Sequence, residues 1–267
     1  IDEPDGGLDG LPHPPEVLPR HHADLTSLPA PSSVEFLGWT PEGGVAVLRV
    51  GYGSKTAARG IANYLELIVE LDGTTGSVVR TFAAERVANA SLGKNDPLAK
   101  AEAASVPGKR WVERRVELLL KAPEARRAPS RRKGELTLGF ESVPEGTKVR
   151  VQAKRTGFDL GWWGFDALTP EASPPSLHVQ WVEGVEATTL VHAPIEVELD
   201  VLRKFAARPG SDLTLEGAVR VYWTPDERRA LVTLTFASGG DEGNAVADRR
   251  WFLVEPGGSG SRKRIRD

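Results

Sequence analysis

Residues 36–50, FLGWTPEGGVAVLRV, return as VYWTPDERRALVTL at residues 221–234: an aromatic, then Trp-Thr-Pro-acid, a turn and an alternating strand. In Thr40-Pro41-Glu42-Gly43 and Thr224-Pro225-Asp226 the proline supplies the fixed φ of a second turn position, and the hydroxyl and carboxylate around it can bond the local backbone. Each stretch therefore predicts a strand-turn-strand corner. Beyond the corner Ala46, Leu48 and Val50 share one face in the first copy, and Ala230, Val232 and Leu234 take the equivalent places in the second. Both copies present the same apolar face.

The match continues outward. In the first copy a loop at 51–62 leads into Asn63-Tyr64-Leu65-Glu66-Leu67-Ile68-Val69, and in the second a Gly-rich loop at 238–244 leads into Arg249-Arg250-Trp251-Phe252-Leu253-Val254. The first copy adds a dense turn signal, Leu71-Asp72-Gly73-Thr74-Thr75-Gly76-Ser77, and then the apolar-rich residues 78–82. Four antiparallel strands in about fifty residues have the size of one propeller blade.

An aromatic followed by Ser/Thr-Pro-Asp/Glu-Gly, a strand, a polar loop and a strand ending in an Asp-x-x-Thr-Gly turn resembles a blade of the WD40-like or TolB-like propellers. One early and one late copy around a helical insert is also similar to a family of predicted secreted bacterial proteins of unknown function. The resemblance covers residues 34–82 and 219–254; the second copy departs from it with Glu227-Arg228 in place of Gly-Gly. Two such units do not close a propeller. The expected fold is mainly β, antiparallel sheets with two propeller-blade-like repeats and a helical insertion, with a β-sandwich as the alternative.

Around the repeats the texture changes. Residues 1–33 carry Pro12, Pro14, Pro15, Pro19, Pro29 and Pro31 with Asp2, Glu3, Asp5 and Asp9, and predict a disordered Pro/acidic leader. The β domain is expected over 34–256, and a flexible basic tail over 257–267, where Gly257-Gly258-Ser259-Gly260-Ser261 precedes Arg262-Lys263-Arg264. A helical insertion is expected at 96–122, capped by Asn95 or Asp96 with Pro97 at the first helical position, and broken at Pro107-Gly108 before a second helix at 109–120. A second β region spans 135–205, with strands at 136–140, 148–153, 177–181 and 195–199. Val143-Pro144-Glu145-Gly146 reads as an ordinary hairpin turn.

Composition limits the function. With 267 residues, 40% of them hydrophobic, the chain can bury a sizeable core. A net charge of -3 gives no global electrostatic case for nucleic acid, and no run of eighteen apolar residues provides a transmembrane segment. Zero cysteines exclude disulfides, thiolate metal sites and cysteine nucleophiles. A chain that opens Ile1-Asp2-Glu3-Pro4 without methionine leads us to expect a removed signal peptide and an extracytoplasmic location, periplasmic or secreted.

Candidate sites are few. Gly51-Tyr52-Gly53-Ser54-Lys55-Thr56 lacks the spacing of a phosphate-binding loop, and the basic run at 126–133 has no interleaved aromatic to stack a base. His13, His21 and His22 lie in the leader, while His178 and His192 stand fourteen positions apart (192 − 178); no metal site and no cofactor are expected. The unusual stretch is Gly157-Phe158-Asp159-Leu160-Gly161-Trp162-Trp163-Gly164-Phe165-Asp166. It reads first as an aromatic plug of the core. Its second reading is a loop whose glycines turn the backbone so that at least one tryptophan is exposed, Trp162 and Trp163 with Asp159 and Asp166 then forming a platform for a carbohydrate or protein ligand. A binding or interaction module with no catalytic residues is the expected function; a hydrolase using carboxylates beside Trp162 and Trp163 is the alternative.

Overall fold

The computed structural model describes residues 23–29, 31–40, 44–58, 61–88, 95–106, 133–155, 158–166, 175–195, 214–239, 246–256 and 263–264. Its strands are β1 (Pro31–Trp39), β2 (Val45–Ala58), β3 (Ile61–Asp72), β4 (Val78–Ala88), β5 (Glu135–Glu141), β6 (Lys148–Arg155), β7 (Asp159–Asp166), β8 (Ser176–Glu183), β9 (Glu186–Pro194), β10 (Thr214–Trp223), β11 (Ala230–Gly239), β12 (Val246–Val254) and β13 (Lys263–Arg264), with one helix, α1 (Pro97–Ala104), among the described residues. The protein is mainly β, and its named strands pair antiparallel.

The two copies of the repeated sequence make the same corner. The Thr40 N–H donates to the Val45 carbonyl at 2.9 Å and the Thr224 N–H to the Arg229 carbonyl at 2.8 Å; in return the Val45 and Arg229 N–H groups each donate to the threonine hydroxyl at 3.1 Å. Trp39 pairs with Ala46, and Trp223 with Ala230. Where the first copy has Gly43, the second keeps its turn by holding Glu227 at φ +57°, a left-handed conformation that costs an L residue about 1–2 kcal/mol.

Three sheets result: β1-β2-β3-β4, a central β13-β12-β11-β10-β7-β6, and β5-β8-β9. Alternation gives the central sheet two apolar faces, and each belongs to a different core. On one face Val221, Trp223, Val232 and Phe252 share a cluster with Leu177, Val179 and Trp181 of the third sheet. On the other, Leu231, Trp251 and Leu253 join Trp39, Leu48, Leu67 and Val69 of the first sheet. The Trp39 face of the first sheet thus meets the back of the central sheet, whose Trp223 face meets the third. The layers stack front to back and do not close on themselves among the described residues.

Several expectations need correction. Packed structure begins before residue 34: Ala23, Leu25 and Leu28 lie in the first-sheet core, Asp24 caps a 3-10 turn at Leu25–Ser27, and the Ala23 N–H donates to Thr81 Oγ1 at 2.8 Å. The prolines around these three apolar residues masked them; residues 1–22 lie outside the described residues. In the tail, Lys263 and Arg264 pair with Leu253 and Phe252 at the sheet edge. The loop expected at 51–62 is largely strand, since β2 runs to Ala58 and β3 starts at Ile61. The turn at Val143-Pro144-Glu145-Gly146 does not close a hairpin, because β5 and β6 belong to different sheets. Of the helical insertion, α1 is present with Asp96 accepting from the Leu98 N–H; the helix expected at 109–120, the basic run up to residue 132 and residues 196–199 lie outside the described residues.

Candidate functional site

The aromatic stretch is not a loop. It forms β7, hydrogen-bonded between β6 and β10 in the central sheet. Gly161 and Gly164 make no turn there, and neither has a positive φ among the described glycines. They provide clearance: a Cβ on Gly161 would lie 2.7 Å from Leu138 Cδ1, and one on Gly164 would lie 2.9 Å from Arg150 Nη2. Gly157 lies outside the described residues.

Strand alternation divides the four expected site residues between opposite faces of the sheet. Trp163 and Asp159 point toward the third sheet. Trp163 is 3% exposed, lies over Gly217, and packs against Phe140, Phe165 and Phe236 with ring centroids 5.5, 5.1 and 5.7 Å away. Asp159, 4% exposed, accepts from Arg155 Nε at 2.8 Å and from the Trp223 indole N–H at 3.2 Å. Both are committed to the core, as the plug reading has it. Asp159 and Asp166 consequently do not face each other across a cleft.

Trp162 and Asp166 lie on the other face, at the end of the central sheet that the first sheet leaves uncovered. Cover stops near Tyr222, which stacks on Phe36 at 4.4 Å, whereas β6 is exposed along its length. A concavity of about 490 Å³ opens here. Its floor is low because Gly164 and Ala218 flank the half-buried Trp162. Gln152 and Ala218 are the register partners of Trp162 on either side. Across Gly164 lies the Arg150 guanidinium, donating through Nε and Nη2 to the two oxygens of Asp166 at 3.1 Å each, and through Nη2 to Glu216 at 3.2 Å. These bonds, that to Asp166 foremost, raise the pKa of Arg150 above its ordinary value. The Lys154 ammonium sits 4.5 Å from the Trp162 ring centroid.

On this face Lys148, Arg150, Lys154 and Arg220 outnumber Asp166 and Glu216. Arg150, Gln152 and Glu216 could not be selected from sequence, because only the β6-β7-β10 register brings them beside Trp162. His178 and His192, set aside above as too far apart in sequence, come together with Glu141 on the third sheet, the one group of three His, Asp or Glu side chains among the described residues whose ligand atoms all lie within 4.8 Å of one another. No family model, curated protein or solved structure matches the chain.

Proposed function

We propose that this protein is a binding module whose ligand surface is the uncovered face of the central sheet around Trp162, and that its ligand is a carbohydrate. The observation that carries this reading is a half-buried indole in a concavity rimmed by planar, multidentate side chains: Gln152, the Arg150-Asp166 pair and Glu216. An indole offers an apolar face to the C–H side of a sugar ring, and carboxylates, amides and guanidinium groups bond vicinal hydroxyls. The excess of basic groups favours sugars that carry carboxylates. Lys154 covers part of the indole, so an incoming ring displaces its ammonium or stacks beside it.

Affinity electrophoresis through gels containing xylan or polygalacturonate tests the reading. The wild-type chain should be retarded by at least one of them and Trp162→Ala should migrate freely, with its thermal unfolding nearly unchanged. Free migration of the wild type in both gels, or undiminished retardation of the variant, would refute it.

A further inference from the structure

On the outward face of the third sheet, a different sheet from the one that carries Trp162, a β-bulge places two histidines side by side. Below the bulge β8 and β9 pair with Gln180 opposite Thr189; above it Val179 is opposite Val191 and His178 opposite His192. The extra residue is Leu190, buried together with Val191. Were the lower register continued, His178 would oppose Val191, and His192 would oppose Leu177, whose side chain is in the core. One inserted residue therefore turns His192 to the outer face beside His178, the kind of local re-aiming for which bulges are retained.

The imidazoles stack with centroids 3.9 Å apart and an interplanar angle of 24°. Both Nε2 atoms are directed at one carboxylate from the end of β5: His178 Nε2 is 3.1 Å from Glu141 Oε1, and His192 Nε2 is 3.7 Å from Glu141 Oε2. His178 Nε2 is shielded from solvent yet makes no hydrogen bond among the described residues. Across from His178 on β5 stands Gly139, so no side chain intervenes on that side.

We infer that Glu141, His178 and His192 bind a divalent transition-metal ion of the zinc type. One ligand atom from each residue lies within 4.8 Å of the others. Metal–nitrogen and metal–oxygen bonds of about 2.0–2.2 Å at tetrahedral angles put ligand atoms about 3.3–3.6 Å apart, so small side-chain rotations complete the set. Two imidazoles and a carboxylate suit zinc, copper, nickel or cobalt and not the all-oxygen preferences of magnesium or calcium. A cation here also answers a feature that the fold leaves open: a solvent-shielded ring nitrogen without a hydrogen bond among the described residues, stacked beside a second imidazole and facing a carboxylate. Three protein ligands on an outer surface leave a coordination position toward solvent.

The test uses the full chain without an affinity tag, because His13, His21 and His22 are rival ligands. Zinc chloride is titrated by calorimetry, and cobalt chloride is followed by its visible absorption. The wild type and a His13→Ala, His21→Ala, His22→Ala variant should each bind zinc and give the intense visible bands of four-coordinate cobalt. His192→Asn and Glu141→Gln should each weaken zinc binding at least about tenfold, a lower bound set by the effect of losing groups one shell further out. In the wild type and the N-terminal triple variant alike, zinc should shift the ring-nitrogen resonances of both His178 and His192 and raise the melting temperature. Loss of binding in the N-terminal triple variant, or its persistence in His192→Asn, would overturn the assignment. Folding of the variants is read from their unfolding curves without metal, which should overlay the wild type.

Discussion

The first and second copies of the repeat share their corner hydrogen bonds but differ in what lies beyond their first strand. β1 is the edge strand of its sheet among the described residues, whereas β10 continues into β7 and β6. The corner tryptophans register the same difference. Trp39 buries an indole N–H that has no acceptor among the described residues, while that of Trp223 donates to Asp159, a residue of the added strand. The repeated part of the sequence thus builds the first sheet and the half of the central sheet that packs on it, and the added strands β6 and β7 carry most of the candidate surface. A functional reading of such a chain begins where its copies diverge.

If β6 and β7 were a loosely attached extension of the second copy, truncating their core residue would cost little. We expect the opposite. Trp163→Ala should destabilise the protein by about 3–5 kcal/mol, because it empties a site enclosed by three aromatic rings and the Gly217 backbone. Its neighbour on the other face, Trp162, should lose less than about 1 kcal/mol on the same change, as is usual away from the core. Equilibrium unfolding in urea measures both, and equal losses would dissolve the distinction between the faces of β7.

The tryptophan pair offers a finer comparison. Replacing either indole by phenyl removes similar volume, but Trp223→Phe also takes a donor from the buried Asp159, whereas Trp39→Phe removes an N–H without a partner among the described residues. Trp223→Phe should therefore be the costlier by about 1–3 kcal/mol, the penalty for a buried acceptor deprived of a partner. The same urea titrations report it, and a larger loss at Trp39 would show that the two corners are not wired differently.

The smallest effect concerns the seam between the copies. Arg229 donates to the Gly73 carbonyl and to Thr74 Oγ1 at 2.9 Å, joining the second corner to the β3-β4 turn of the first copy. Asp72 in that turn has its pKa lowered, chiefly by the Thr75 N–H, and Asp226 in the corner has its own lowered, chiefly by the Thr224 hydroxyl; Arg229 contributes to both. A folded pKa below the unfolded one means that the unfolded chain binds more protons. The stabilisation is then fully present above the ordinary value of 3.8 and is lost as pH falls through the lowered values. Acid titrations of Asp72→Asn and Asp226→Asn should each show a shallower loss of stability in that range than the wild type. Parallel curves would remove these carboxylates from the seam.

The corner threonines, the prolines and the alternation after them are local, so mainly β structure with antiparallel pairing was readable from residues 36–50 and 221–234. The role of β7 was not. Its glycines look like turn residues until Leu138 and Arg150 are seen lying over them, and both contacts depend on which strands become neighbours. The same is true of the sites. Trp162 could be nominated as an unusual residue, but its separation from Trp163 follows from strand alternation across a sheet that the sequence did not reveal, and Arg150 and Glu216 reach it only through register. His178 and His192 looked too distant in sequence because a hairpin with one inserted residue makes them neighbours.

The order of strands also bears on the time course of synthesis. Everything that the first sheet needs for its own pairing, from Pro31 to Ala88, leaves the ribosome as one stretch, so its contacts have low sequence separation and close short loops. β7 must instead wait for β10, since Phe165 pairs with Leu215 only after the whole β8-β9 hairpin and the segment following it have been made. Until then Trp163 and Phe165 have no β10 beside them, and the unpaired edge of β7 is open to other strands. The strand that holds the candidate binding surface is thus paired late as the chain emerges, and its edge is open to mispairing if elongation stalls before β10.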